Sequence, residues 1–196
     1  MKEGKNMAKS KLIVIEGPQG AGKTTVTDFI RHKIPYTNLY RLNGTSDHSP
    51  TGREKSKQMY NDLVEYIGKL QNKDINLLFD RTFFTEEIYC RLDFKAYSFT
   101  DIYEELLEKV SKMDFDFYYI TLYLSDEEEF EKRLNREGKG IVKYAKFSKE
   151  NSVRQQNAYL DMANEIKEKY ENINVINIDT CIGLEAVKAK IVEILE

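Results

Sequence analysis

Tryptophan is absent from this 196-residue sequence, and cysteine, histidine and proline are scarce. Cys90 and Cys181 stand far apart with no C-x-x-C pair, and His32 and His48 have no companions at zinc spacing. Neither a structural metal centre nor a dithiol redox site is therefore expected. Two thiols in a chain of this size fit a reducing compartment. No apolar run approaches the length of a membrane span, so no membrane partner is expected. The start of the chain is polar and basic with no apolar stretch behind it, so a secretory leader is not expected either. Residues 1–10 read as a flexible extension, residues 11–196 as one domain, and cytoplasmic placement follows by default. Charge of one sign is also lacking. A net charge of −3 gives no whole-chain ground for a nucleic acid partner, and leaves small anionic ligands open to local basic clusters.

What is present alternates between two periodicities. Short apolar runs at Leu12–Glu16, Asn38–Leu42, Ile75–Phe79, Phe117–Leu124 and Val175–Ile178 predict strands. Between and after them, helical spacing predicts helices over Thr24–Ile34, Lys57–Leu70, Phe83–Leu92, Ile102–Val110, Asp126 to about Arg136, Lys149–Tyr170 and Leu184–Leu195. Asn43–Gly52 is rich in turn formers and reads as a loop. Glu137–Phe147 carries glycines and lysines without periodicity and reads as a mobile loop, so a lid is expected over about 137–149. Strand–helix alternation from end to end predicts an α/β fold with a mainly parallel five-stranded sheet covered by helices on both faces. The continuously apolar strands agree, because both of their faces are buried in such a sheet. Ligands bind beyond the carboxyl ends of these strands, which directs attention to the loops after Glu16, Arg41, Phe79 and Leu124.

The first of these loops carries the strongest signal. Gly17-Pro18-Gln19-Gly20-Ala21-Gly22-Lys23-Thr24 fits G-x-x-x-x-G-K-[ST] without a mismatch, with a strand before it and a helix after it. Glycines let the backbone curl so that successive N–H groups point at one anion. The N-terminus of the following helix adds its dipole and free N–H groups. Gly17, Gly20, Ala21, Gly22, Lys23, Thr24 and Thr25 are thus the expected ATP-binding residues. Lys23 brings charge to the β- and γ-phosphates, and the Thr24 hydroxyl is placed for Mg²⁺. A glycine-rich turn that binds nothing is the alternative, and the full match in its proper context speaks against it.

Leu77-Leu78-Phe79-Asp80-Arg81 is an apolar strand ending in an acid, which suits an Asp80 that holds Mg²⁺, or one that caps the next helix. Arg81 follows where a cation meets an acceptor phosphate, or is a surface arginine. Arg133 and Arg136 share a helix face and are followed by Lys139, Lys143 and Lys146. This basic run either closes over ATP and neutralises the transferring group, or is the solvated face of a charged helix.

At these residues the chain resembles the thymidylate kinase family of nucleoside monophosphate kinases. Ile15 to Thr25 is similar to that family's opening, and Arg41, Gly44 and Thr45 resemble its acceptor-phosphate turn, Arg-Glu-Pro-Gly-Gly-Thr. Asp80, Arg81, Thr85 and Tyr89 fall at the spacing of its Asp-Arg-Tyr…Ser…Ala-Tyr-Gln segment, and the tail from Val153 through Tyr159 to Asp179 follows its pattern. The resemblance implies a P-loop NTPase fold, ATP and Mg²⁺ as cofactors, a small-molecule nucleotide acceptor with dTMP favoured, and a homodimer. It implies Lys23, Arg81, Arg133 and Arg136 as catalytic residues and Arg41 and Arg81 as the acceptor-phosphate grip. Gln19 stands where the family has an acid or an arginine, Cys90 replaces a Gln, and the helix after Gly52 lacks the family's Phe and Arg, for which Tyr60 and Arg53 are the substitutes. Gln19, Tyr60 and Tyr89 are then the residues expected at the sugar or base, with Tyr89 equally readable as a core aromatic.

Two other functions fit the same loop. A deoxynucleoside kinase must deprotonate a hydroxyl and wants a carboxylate near the end of the second strand. That strand ends Tyr40-Arg41-Leu42-Asn43, and the first acid after it is Asp47, which favours a monophosphate acceptor. A nucleotide-binding switch needs no acceptor pocket, and the arginines at 41, 81, 133 and 136 argue against it.

Overall fold

The computed structural model describes residues 9–42, 44–135 and 148–196. Within them five strands, β1 (Lys11–Glu16), β2 (Thr37–Arg41), β3 (Asn76–Asp80), β4 (Asp116–Tyr123) and β5 (Ile173–Asp179), form one sheet in the order β2-β3-β1-β4-β5. Every pairing is parallel. Seven α-helices accompany it: α1 (Lys23–Lys33), α2 (Gly52–Lys69), α3 (Phe83–Arg91), α4 (Thr100–Ser111), α5 (Glu128–Leu134), α6 (Lys149–Lys169) and α7 (Leu184–Leu195). The predicted α/β architecture is the one found.

Alternate residues of the central strands feed two cores, because successive side chains of a strand point to opposite faces. Leu12 and Val14 of β1 join Leu77, Phe79, Phe117 and Tyr119 under α2, α3, α4 and α6. Ile13 and Ile15 join Leu78, Ile120 and Leu122 under α1 and α7. That two-sided burial is why the strand sequences read as unbroken apolar runs.

The main departure from the sequence pattern is the start of α2, at Gly52 rather than Lys57. The polar run Arg53-Glu54-Lys55 hides this first turn. Asp47 makes it possible by accepting from Ser49 N at 3.0 Å, Ser49 Oγ at 2.6 Å and Thr51 Oγ1 at 2.9 Å. Gly52 fits because a Cβ there would lie 2.1 Å from the Asp47 carbonyl oxygen. The predicted cap Asp126 lies one residue before Glu127, the N-cap of α5, with its Oδ1 accepting from Glu128 N at 3.0 Å, and the helix stops at Leu134. Arg136, Lys139, Lys143 and Lys146, with nearly all of the predicted lid at 137–149, lie outside the described residues, as does residues 1–8 of the predicted extension. No helix among the described residues is long and apolar enough to cross a membrane.

Candidate active site

β1 is the strand at which the sheet order reverses, with β3 on one side and β4 on the other. A crevice opens there, at the carboxyl ends of the strands. It is a cavity of about 780 Å³ lined by Gln19, Gly20, Gly22 to Val26, Arg41, Asp80, Arg81 and Arg133, with Thr180, Cys181, Gly183 and Leu184 after β5, while Ala21 of the predicted ATP-binding set is buried in the core.

The phosphate loop is built by steric exclusion. Gly17 has φ +141°, and a Cβ on it would lie 2.4 Å from the Leu122 carbonyl oxygen of β4, so only glycine fits. Gly22 caps α1 in the left-handed region, with φ +92°. The Lys23 ammonium donates to the carbonyls of Gly17 and Pro18, both at 2.7 Å. Thr24 and Thr25 are exposed on the first turn of α1. Backbone donors, an ammonium and two hydroxyls thus converge on one end of the cavity, a set suited to a polyphosphate.

Beside the loop stands the end of β3, where Asp80 pairs in register with Ile15 of β1. Asp80 is buried to 7 % exposure, and Arg41, its register partner on β2, holds Nε 3.5 Å from its Oδ2. Arg41 also donates to Asp28 Oδ1 of α1 at 2.6 Å. Arg81 takes φ +70°, a conformation that costs a non-glycine residue on the order of 1–3 kcal/mol and that gathers at functional sites. The turn is fixed by Arg81 N donating to the Ile15 carbonyl at 3.2 Å, and its guanidinium donates to Gln19 Oε1 at 3.3 Å. Burial works against the Arg81 charge, but Tyr89, Tyr159, Glu16 and Asp80 around it raise its pKa above the ordinary arginine value. The Thr24 hydroxyl and the Asp80 carboxylate are hard oxygen donors of the kind Mg²⁺ takes, together with phosphate oxygens and water. The donor chemistry fits that ion.

Arg133 is engaged rather than reaching across the cavity. It donates to the Gly20 carbonyl at 3.3 Å, to Thr180 Oγ1 at 2.9 Å and to the Thr180 carbonyl at 3.0 Å, and so braces the phosphate loop against the segment after β5. Tyr60 lies in the core at 0 % exposure, edge-on to Phe83 and Phe99. Its hydroxyl has no partner among the described residues and sits 3.6 Å from where a Cβ on Gly44 would be. Tyr89 is 9 % exposed and packs edge-on against Phe94. Neither tyrosine lines the cavity, whereas Gln19 does. Arg53 faces away, bonded to Asp101 and the Ser98 carbonyl.

Three participants were not singled out by sequence reasoning. Asp28 was an ordinary polar residue of a helix, and Thr180 followed a strand with no motif of its own. Glu16 ends β1 fully buried, accepting from Thr82 N at 2.9 Å and Thr85 Oγ1 at 2.6 Å; Thr85 in turn meets the Tyr159 hydroxyl at 2.8 Å. Burial pushes the Glu16 carboxyl up to about 7, against the opposing pull of Thr85, Thr82, Arg81 and Lys23. The usable signal for Glu16 was an acid on the last residue of a strand buried on both faces.

The fold, a five-stranded parallel sheet with helices on both faces and a phosphate loop after β1, is shared with nucleotide kinases of known structure. The chain is similar to thymidylate kinase from Candida albicans, with a TM-score of 0.69 and 17 % identity, covering 95 % of this chain and 91 % of that one. It is also similar to deoxyadenosine kinase from M. mycoides: a structure with dCMP and dCDP gives a TM-score of 0.59, 18 % identity and coverage of 94 % and 97 %. A second structure of that enzyme, with bound dCTP, gives 0.55, 18 %, 94 % and 98 %. No protein-family model matches the sequence, and no curated protein matches it.

Proposed function

We propose that this protein transfers the γ-phosphoryl group of ATP to a nucleoside monophosphate, with dTMP the favoured acceptor, giving the diphosphate. The observation that carries the reading is the shared cavity. The phosphate loop lines it together with Asp80, Arg41 and Arg81, which stand at the ends of adjacent strands. Phosphoryl transfer asks the protein mainly to position two anions and to neutralise charge. The loop amides and Lys23 hold the triphosphate, Arg41 and Arg81 grip the acceptor phosphate, and Arg133 fixes the donor side. Thr24 and Asp80 would hold Mg²⁺, which when bound offsets charge on the phosphates. Arg136, outside the described residues, is the cation proposed for the transferring group. An acceptor phosphate oxygen is already ionised near neutral pH, so no general base is needed. Gln19 is positioned to orient Arg81, and Tyr60 and Tyr89 stand behind the acceptor side. Cytoplasmic placement is part of this reading, and the family resemblance supports a homodimer.

A deoxynucleoside acceptor is the second reading, favoured by the similarity to deoxyadenosine kinase and by Asp80, the carboxylate that lines the cavity. ADP release measured with ATP, Mg²⁺ and each nucleoside and monophosphate separates them. Turnover with dTMP but not thymidine supports the proposal, and turnover with nucleosides alone replaces it. ATP binding with no transfer to any acceptor leaves a nucleotide-binding switch.

A further inference from the structure

A second polar cluster lies outside the cavity, and phosphate chemistry does not account for it. Glu86 of α3 and Lys95, in the turn that follows α3, form an ion pair at 2.6 Å with side-chain exposures of 1 % and 2 %. Burying two charges is expensive, and an apolar pair of similar volume is often no less stable, so a buried pair of this kind calls for a reason other than stability. Its surroundings supply one. Glu86 Oε1 also accepts from Ser56 Oγ of α2 at 2.9 Å and from the Tyr97 hydroxyl. Lys95 donates to the Thr45 carbonyl at 2.9 Å, and Thr45 N approaches Glu86 Oε2 at 3.5 Å. Gly44 completes the fit: φ is +71°, and a Cβ there would lie 2.9 Å from Glu86 Oε2.

The position of the knot in the chain is informative. Thr45 follows Arg41 by one short stretch of chain, and Glu86 follows Arg81 on the helix that Arg81 introduces. The two segments leaving the two arginines are therefore tied to each other a second time, beyond the β2–β3 pairing. The buried Tyr60 hydroxyl sits at the same place, against Gly44.

We infer that the Glu86–Lys95 pair is a positioning device for the acceptor: it fixes the segment after β2 onto α3, and so sets the distance between the Arg41 and Arg81 grips. Glu86 and Lys95 act through those arginines and through the Gly44–Thr45 segment that they hold. The inference rests on the kinase reading and deepens it, assigning to the pair the Michaelis constant for the acceptor and not that for ATP.

The test is the double variant Glu86→Gln with Lys95→Met, which removes both charges together and leaves neither buried alone. Steady-state kinetics use the best acceptor found among the deoxynucleoside monophosphates and deoxynucleosides, at a temperature below each variant's melting point. The expected result is a KM for the acceptor raised about tenfold, with the KM for ATP within about twofold of wild type. A merely structural role lowers the melting temperature and leaves that ratio unmoved. Tyr97→Phe and Thr45→Val each remove one hydroxyl from the knot and serve where the double variant does not fold; each is expected to raise the acceptor KM about threefold. An active wild type whose folded variants all keep the wild-type acceptor KM overturns the inference alone. A wild type that binds ATP and phosphorylates no nucleotide or nucleoside overturns the kinase reading, and the inference with it.

Discussion

Arg41 and Asp80 face each other as register partners at the ends of β2 and β3, with Arg41 Nε 3.5 Å from Asp80 Oδ2 and the Arg41 guanidinium also held by Asp28. An acid suited to a metal and an arginine suited to a phosphate are thus presented by strand pairing. If Arg41 grips the acceptor, Arg41→Ala removes charge-assisted hydrogen bonds of about 1.5–3 kcal/mol, which corresponds to a rise of about 10- to 100-fold in the acceptor KM. The KM for ATP is expected to change far less. Initial-rate kinetics with each substrate varied in turn make the comparison.

Lys23→Ala tests the donor side. Removing the ammonium that the loop holds over its own carbonyls is expected to lower kcat by about 100-fold or more, in line with the loss of a preorganised charge stabiliser. The far-ultraviolet circular dichroism should stay that of the wild type. Full ATP-dependent turnover in this variant would rule out the assigned site.

Arg133 and Arg136 separate two kinds of contribution. Arg133 braces Gly20 against Thr180, so Arg133→Ala should raise the KM for ATP about tenfold and leave kcat within about threefold, the pattern of lost ground-state binding. Arg136→Ala, if that residue meets the transferring group, should lower kcat more than it raises the KM for ATP. The same result for both variants would contradict the division of labour.

Glu16 makes stability depend on pH. Its carboxyl titrates near 7 in the folded protein against an ordinary 4.5, so between those values the native state keeps a proton that the unfolded chain has lost. Stability therefore falls as pH rises from about 4.5 to about 7 and is level above, and the loss amounts to about 3 kcal/mol. Glu16→Gln should remove that decline. Urea unfolding of both proteins at pH 5, 6, 7 and 8 reads it as a difference, and equal slopes would show that Glu16 does not carry the effect.

Gly17→Ala probes the loop's construction. Its Cβ would meet the Leu122 carbonyl oxygen at 2.4 Å in a backbone region hostile to side chains. A destabilisation of about 2–3 kcal/mol is expected, measured as a lower urea midpoint at unchanged m-value.

Much of this was legible in the sequence because steric and charge requirements there are local. Gly17, Gly22, Lys23 and Thr24 are what the turn from strand to helix around an anion demands, and Asp80 and Arg81 close an apolar run. The order β2-β3-β1-β4-β5 was not legible, since every strand is apolar and apolar runs do not name their neighbours. Nor was the pairing of Asp28 with Arg41, or the bracing of Arg133 by Thr180, because both join residues that only the sheet brings near. No motif or spacing in the sequence singles out Glu86 or Lys95. Their burial depends on the packing of α2 and of the segment after β2 against α3, which no spacing announces.

β2 is an outer strand, half exposed along its length, whereas β1 is enclosed between β3 and β4. The donor half of the cavity is thus rooted in the least alterable part of the molecule, and the Arg41 half hangs from a border that can be rebuilt. A change of acceptor preference, by natural drift or by directed evolution, should accumulate along residues 37–60 and spare residues 11–24.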